Sequence, residues 1–166
     1  ISTNACMQVF GGHGFIKEWG MEQFVRDNRI NMIYEGTNTI QSLDLLGRKV
    51  LGNNGATLKK FGKLIGQLVA EEGVNEKMAE FITPIAILGD QMTKFTTEIG
   101  FKGFQNPDEV GAAAVDYLRV AGHMVFFFFF ARMAQVALRE IAAGNTDPFY
   151  VGKVQTARFY IAKLFP

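Results

Sequence analysis

The sequence predicts an all-α protein built as an antiparallel helical bundle. Strand-like alternation of apolar and polar residues is nearly absent, and apolar positions recur instead in steps of three and four. The breaks between these stripes hold glycine, proline and asparagine, the residues that stop and turn helices. Apolar residues make up 48% of the 166-residue chain and charged residues 20%, a composition that can fill a sizeable core.

Residues 1–52 read as the first unit. "ACMQVF" is the end of a helix, stopped by the glycine-rich "GGHGF". "MEQFVRDNRINMI" is a short helix, "YEGTN" a connector and "TIQSLDLLGRKVL" another helix. The turn "GNNG", Gly52 to Gly55, is the candidate boundary to a second unit, 53–166. There Leu58, Phe61, Ile65 and Leu68 start a stripe that resumes at Met78, Phe81, Ile85, Leu88, Met92, Phe95 and Ile99. So narrow a 3-4 stripe suits a helix packed lengthwise on antiparallel neighbours. Pro84 lies inside it, so a kink is expected there, or a restart with Thr83 as N-cap and Pro84 in the first helical position. "GFKGFQNPDE" reads as a loop ending in helix-start chemistry. A long helix follows from Glu109 to Ala143, with Gly144 as its C-cap, and a last helix fills roughly 149–164. The pieces 54–72, 75–100, 108–143 and 148–164 make the four-helix bundle.

Several function classes lose support on composition. The formal charge is +1, with five residues of each sign in 1–52 and twelve basic against eleven acidic in 53–166. Neither part carries the basic excess that nucleic-acid binding uses. The single cysteine, Cys6, gives no internal disulfide framework and reads as a small apolar helix residue. His13 and His123 stand far apart with no metal-ligand spacing, so no metal site is expected. "HMVFFFFFARMA" is too short an apolar run for a membrane span, which needs about 20 residues. A buried helix is expected, and Phe126 to Phe130 would cover every side of it, so some of them must meet a partner helix, another subunit or missing domains. No signal peptide is visible, and "ISTNACMQVF" enters as if partway through a helix, which reads as a fragment of a longer chain.

One carboxylate stands in an unusual place. Glu35 sits between Tyr34 and Gly36, where Ile33 and the Tyr34 ring supply apolar surface and Gly36 lets a ligand approach closely. Desolvation there would raise its pKa and make it a better base for a weakly acidic proton. Thr37, Asn38 and Thr39 follow at a helix start, with cap side chains and free backbone N–H groups suited to anions such as phosphate. "FGGHGF" does not match the GxGxxG dinucleotide pattern, although its glycines could admit a flat or phosphate-bearing ligand. His13 reads as a loop-packing residue, and Arg26 and Asp27 as an ordinary helix-surface pair.

The ordered set "QVFGGHGF", "VRD" and "YEGTNTIQ" resembles the C-terminal α-domain of the acyl-CoA dehydrogenases over residues 1 to about 52. Residues 53–166 look like the extra helical domain of the longer members, including the methylthiopropanoyl-CoA dehydrogenase type. The resemblance implies FAD as cofactor and an acyl-CoA thioester as substrate. It implies that Glu35 is the base removing the pro-R α-proton while the β-hydrogen leaves as hydride to FAD, giving a trans-2-enoyl-CoA. Gly36 and Tyr34 would then lie against the substrate, and Thr37, Asn38 and Thr39 against FAD near its phosphates. Gln8, Val9, Phe10, Gly11 and Gly12 would contact the adenosine half of an FAD bound to a neighbouring subunit. Many relatives carry Ser-Gln where this chain has Asn38 and Thr39, and some carry arginine at the place of Ser42, which is given no role.

By the same resemblance the protein is expected to be a dimer or tetramer in the bacterial cytoplasm, passing electrons to an electron-transfer flavoprotein, and the fragment alone is expected to be inactive. The alternative from another class is a non-catalytic helical module for interaction or oligomerisation, with nucleic-acid binding further back. In support of it, residues 53–166 hold no catalytic constellation.

Overall fold

The computed structural model describes residues 2–34 and 36–165. The described residues form helices and turns with no strand, as the sequence predicts. The chain divides into two compact units, Ile1–Gln41 and Ser42–Pro166.

The first unit opens with α1 (Ser2–Val9), followed by single 3-10 turns at Gly11–Phe15 and Lys17–Trp19. Then come α2 (Met21–Arg29) and a further 3-10 turn at Ile30–Met32. Gly14 is the one fully buried residue among those described in this unit, while Phe15, Trp19 and Phe24 are each more than half exposed. The unit division falls within α3 (Asn38–Leu43), after Gln41.

In the second unit a π-helical turn, Asp44–Val50, precedes α4 (Ala56–Glu72). A π turn brings residues five apart onto one face. The Asp44 carboxylate accordingly reaches Lys49 at 2.8 Å as well as Arg48. Hydrogen bonds from Lys49 and then Arg48 hold this carboxyl below its ordinary pKa. The "GNNG" turn uses left-handed backbone at Asn54 (φ 54°) and Gly55 (φ 73°), a conformation that glycine and asparagine adopt most readily.

A long α5 (Ala79–Gln105) runs alongside α4, and Asn106 and Pro107 lead directly into α6 (Asp108–Ala142). So short a link makes α5 and α6 antiparallel neighbours. Gly144 at φ 88° ends α6, and the Asp147 side chain caps α7 (Pro148–Phe159) by accepting from the Phe149 N–H at 2.9 Å. The chain closes in a second π turn, Tyr160–Leu164.

α6 is the centre, packed against both α5 and α7, with the first π turn also resting on it. Its buried face carries Ala114, Ala131, Ala134 and Ala137, small side chains that let neighbouring helices come close. Phe81 from α5 and Phe127 from α6 are fully buried, each contributing roughly 2–3 kcal/mol of apolar burial. The Phe run divides as helix geometry demands: Phe127 and Phe128 are inside, Phe126 and Phe129 are 58% and 61% exposed, and Phe130 stacks on Tyr160 at 4.4 Å. By length and composition alone α6 could cross a membrane, with an 18-residue window of mean hydropathy 1.4, a third of it buried in the bundle. The apolar stretch is thus longer than the Phe run suggests by itself.

Three sequence expectations need correction. α5 does not restart at Pro84; it is helical from Ala79 through the proline, because only one backbone bond is lost there and Phe81, Ile82 and Ile85 are buried on either side. "GFKGFQ" is not a loop but the last two turns of α5. Glycine suits position 103, since a Cβ there would clash with the Val110 side chain and force it to shift. Arg26 and Asp27 do not pair. Adjacent helix side chains diverge, and Asp27 instead accepts from Gln23 Nε2 one turn back at 2.6 Å.

Candidate functional site

The first candidate segment lies where α1 stops. Gln8 and Val9 end the helix, Phe10 turns the chain, and Gly11 (φ 59°) and Gly12 begin the 3-10 turn. All five are exposed. A Cβ placed on Gly11 or Gly12 would meet nothing within 4 Å, so the backbone here is open to an approaching group. Gly14 is the opposite case: its Cβ would sit 2.3 Å from the Met7 carbonyl oxygen, so glycine is what lets the turn fold back on α1. Trp19 anchors the segment, with the Phe10 ring edge-on at 6.4 Å and the His13 ring edge-on at 5.3 Å. His13 is therefore a packing residue. Sequence reading did not single out Trp19, although its being the only tryptophan was a signal.

The second segment gathers Tyr34, Gly36, Thr37, Asn38 and Thr39 within six positions. Glu35 lies outside the described residues. Tyr34 and Ile33 are 51% and 53% exposed, so the chain presents their apolar surface outward. Gly36 takes φ 100°, a backbone that side chains resist, and a Cβ there would come within 3.2 Å of Ile40. That turn delivers the chain into α3, where Thr37 acts as the cap: its hydroxyl accepts from the Ile40 N–H at 3.4 Å, and its carbonyl accepts from the Gln41 N–H at 3.0 Å. Asn38 and Thr39 occupy the first turn of the helix. Among the described residues no cluster of three or more His, Cys, Asp or Glu side chains could hold a metal.

Comparison with known proteins gives this arrangement a context. The family model for "Acetyl-CoA dehydrogenase C-terminal like" proteins matches residues 59–166, and that for "Acyl-CoA dehydrogenase, C-terminal domain" matches residues 2–51. The chain belongs to the acyl-CoA dehydrogenase family. It is 35% identical over 162 residues to the 3-methylmercaptopropionyl-CoA dehydrogenase of Ruegeria pomeroyi, an alignment covering 93% of this chain and 26% of that protein. A butyryl-CoA dehydrogenase of Syntrophomonas wolfei is 31% identical, over 100% of this chain and 28% of its own length. A broad-specificity linear acyl-CoA dehydrogenase of Mycobacterium tuberculosis is 28% identical, over 96% and 28% respectively. The chain thus spans about a quarter of the length of these relatives.

Proposed function

We propose that the chain forms part of an FAD-dependent acyl-CoA dehydrogenase in which Glu35 removes the α-proton of an acyl-CoA thioester. The observation that carries this is the "YEGT" turn. Gly36 at φ 100° ends it against a helix start capped by Thr37, next to a half-exposed tyrosine ring. The proposal divides the chain at "GNNG", a position supported by the gap between the two family-model matches.

The chemistry asks for such a turn. A thioester α-proton is far less acidic than an ordinary carboxylic acid, so a carboxylate with a reference pKa near 4.3 is poorly matched to it. An acyl chain laid over Ile33 and Tyr34 would expel water, favour the neutral acid and narrow that gap. Glu35 takes the proton as the Cα–H bond breaks, and Gly36 leaves room for the thioester. When bound, FAD supplies the acceptor that takes the β-hydrogen as hydride, so that a trans-2-enoyl thioester results. The residues present fit that cofactor: Thr37, Asn38 and Thr39 offer a helix start to its phosphates, and Gly11 and Gly12 leave exposed backbone that side chains would cover. Gln8, Val9 and Phe10 would contact the adenosine half of a neighbouring subunit's FAD.

A dimer or tetramer, an electron-transfer flavoprotein as acceptor and a bacterial cytoplasmic setting belong to the same proposal. A second role, a helical interaction module in 53–166, is favoured by the exposed Phe101, Phe104, Phe126 and Phe129. Glu35→Gln in the intact enzyme separates the two readings. Loss of flavin bleaching by acyl-CoA with FAD still bound supports the dehydrogenase, and unchanged bleaching refutes Glu35 as the base.

A further inference from the structure

An open cleft of about 880 Å³ lies within the second unit, between the 47–55 segment, the start of α4, α5 from Gly89 onward and α6. Its floor is apolar, with Ile65, Met92 and Met124 buried there. Phe101 and Phe104 stand at its edge, 72% and 94% exposed. Three threonines of α5 line one wall, but their hydroxyls are already engaged. Thr93 donates to the Gly89 carbonyl, Thr96 to that of Met92 and Thr97 to that of Thr93, at 3.0, 2.7 and 2.8 Å. The threonine wall therefore offers a ligand no hydroxyl donor. The lining contains one cation, the exposed Lys59, which has no acidic partner among the described residues.

The glycines of the lining are a second, independent feature. A Cβ built on Gly62 or Gly89 would meet nothing within 4 Å, and neither takes a left-handed backbone. Neither crowding nor conformation therefore requires glycine at these positions, both inside helices, where alanine is the more stable choice. Gly62 is exposed and Gly89 half-buried, so glycine at these positions leaves the cleft wider than alanine would, at a cost to helix stability.

We propose that this cavity binds a linear acyl chain whose anionic head pairs with Lys59. The volume falls in the range of small-molecule sites, the walls suit an aliphatic tail, and a single unpaired cation at the rim suits one anionic group. The head is a free carboxylate or the phosphate-bearing end of an acyl thioester. The site lies wholly within the second unit and does not depend on Glu35.

The test uses the intact protein and the fluorescence of bound cis-parinaric acid, with palmitate, palmitoyl-CoA and hexadecanol as separate competitors. Palmitate or palmitoyl-CoA should displace the probe, and whichever does so identifies the head. Gly62→Leu and Gly89→Leu, each filling open space, should weaken that binding about tenfold or more with helical circular dichroism and Tm retained. Gly62→Ala, a milder filling, should weaken it in the same direction. Lys59→Ala should weaken the anionic competitors and leave hexadecanol unchanged. Failure of both anionic ligands to displace the probe overturns the proposal, as does displacement indifferent to all three glycine variants. A shift from oligomer to monomer in Gly62→Leu with ligand binding unchanged also overturns it, assigning the cavity to contact between copies of the chain.

Discussion

The side-chain amide of Gln135 donates a 2.6 Å hydrogen bond to the carboxylate of Glu72, tying the end of α4 to α6 across 63 positions. Both residues are buried, at 2% and 5% exposure, and Asn75 and Arg139 add donors to the same carboxylate at 2.7 and 3.0 Å. Burial alone would push the Glu72 pKa up, but hydrogen bonds from Gln135, Asn75 and Arg139 outweigh it and hold the carboxyl below its ordinary value of 4.5. Glu72→Ala leaves the buried Gln135 amide only its longer, 3.3 Å bond to Glu71 and removes the acceptor of Asn75 and Arg139, and should cost about 2 kcal/mol in urea denaturation.

The same network predicts how stability responds to acid. A carboxyl with a lowered folded-state pKa stabilises the fold fully above its unfolded value, and that contribution disappears as pH falls through the folded value. The Tm of the wild-type protein should exceed that of Glu72→Gln at pH 6 to 7. The difference should shrink steadily below about pH 4.5. A difference that grows in acid would contradict the assignment.

Substitutions along the phenylalanine run should differ sharply in cost. Phe127→Ala removes a fully buried ring that packs against Phe165 at 4.7 Å, and should cost about 4 kcal/mol. Phe129→Ala removes a ring that is 61% exposed and should cost less than about 1 kcal/mol. Equal losses in a denaturant series would mean that another surface covers Phe129.

Gly14→Ala should disturb the first unit, because its Cβ has no room beside the Met7 carbonyl. A cost of about 2 kcal/mol is expected. Trp19 is the only tryptophan, so its emission reports the change directly. A red shift of that emission while helical content stays constant is the expected signature.

Glu35→Gln should lower turnover of the intact enzyme by at least about a hundredfold. On the proposed role, the variant removes the proton acceptor alone, so FAD content after gel filtration should be unchanged.

How much of this was legible in the sequence depended on the kind of signal. The stripe from Met78 to Ile99 marked α5 because burial on one helix face repeats every three or four residues, although its Phe95 is half exposed. The end of α5 was hidden, since Gly100 and Gly103 read as breakers, and only the approach of Val110 shows why glycine suits position 103. The π turn at Asp44–Val50 leaves no mark in composition, although the Asp44 and Lys49 spacing of five fits it once seen. Five identical phenylalanines cannot state which of them is inside; the neighbours Phe61 and Tyr160 decide that. At the candidate site the "YEGT" run was legible as a motif and the lone Trp19 was a signal left unread, while the edge-on packing of His13 on it and the closure of Gly14 on Met7 arise only in the folded chain.

The central position of α6 bears on how the protein is made. Synthesis runs from the N-terminus, so this 35-residue helix leaves the ribosome before α7 exists to cover it. In that interval its apolar sides resemble what a translocon or a chaperone binds, and cover on the α7 side arrives only with Pro148–Phe159. A stop codon placed between the two helices would therefore yield an insoluble or rapidly degraded product, even though α1 to α6 were all present.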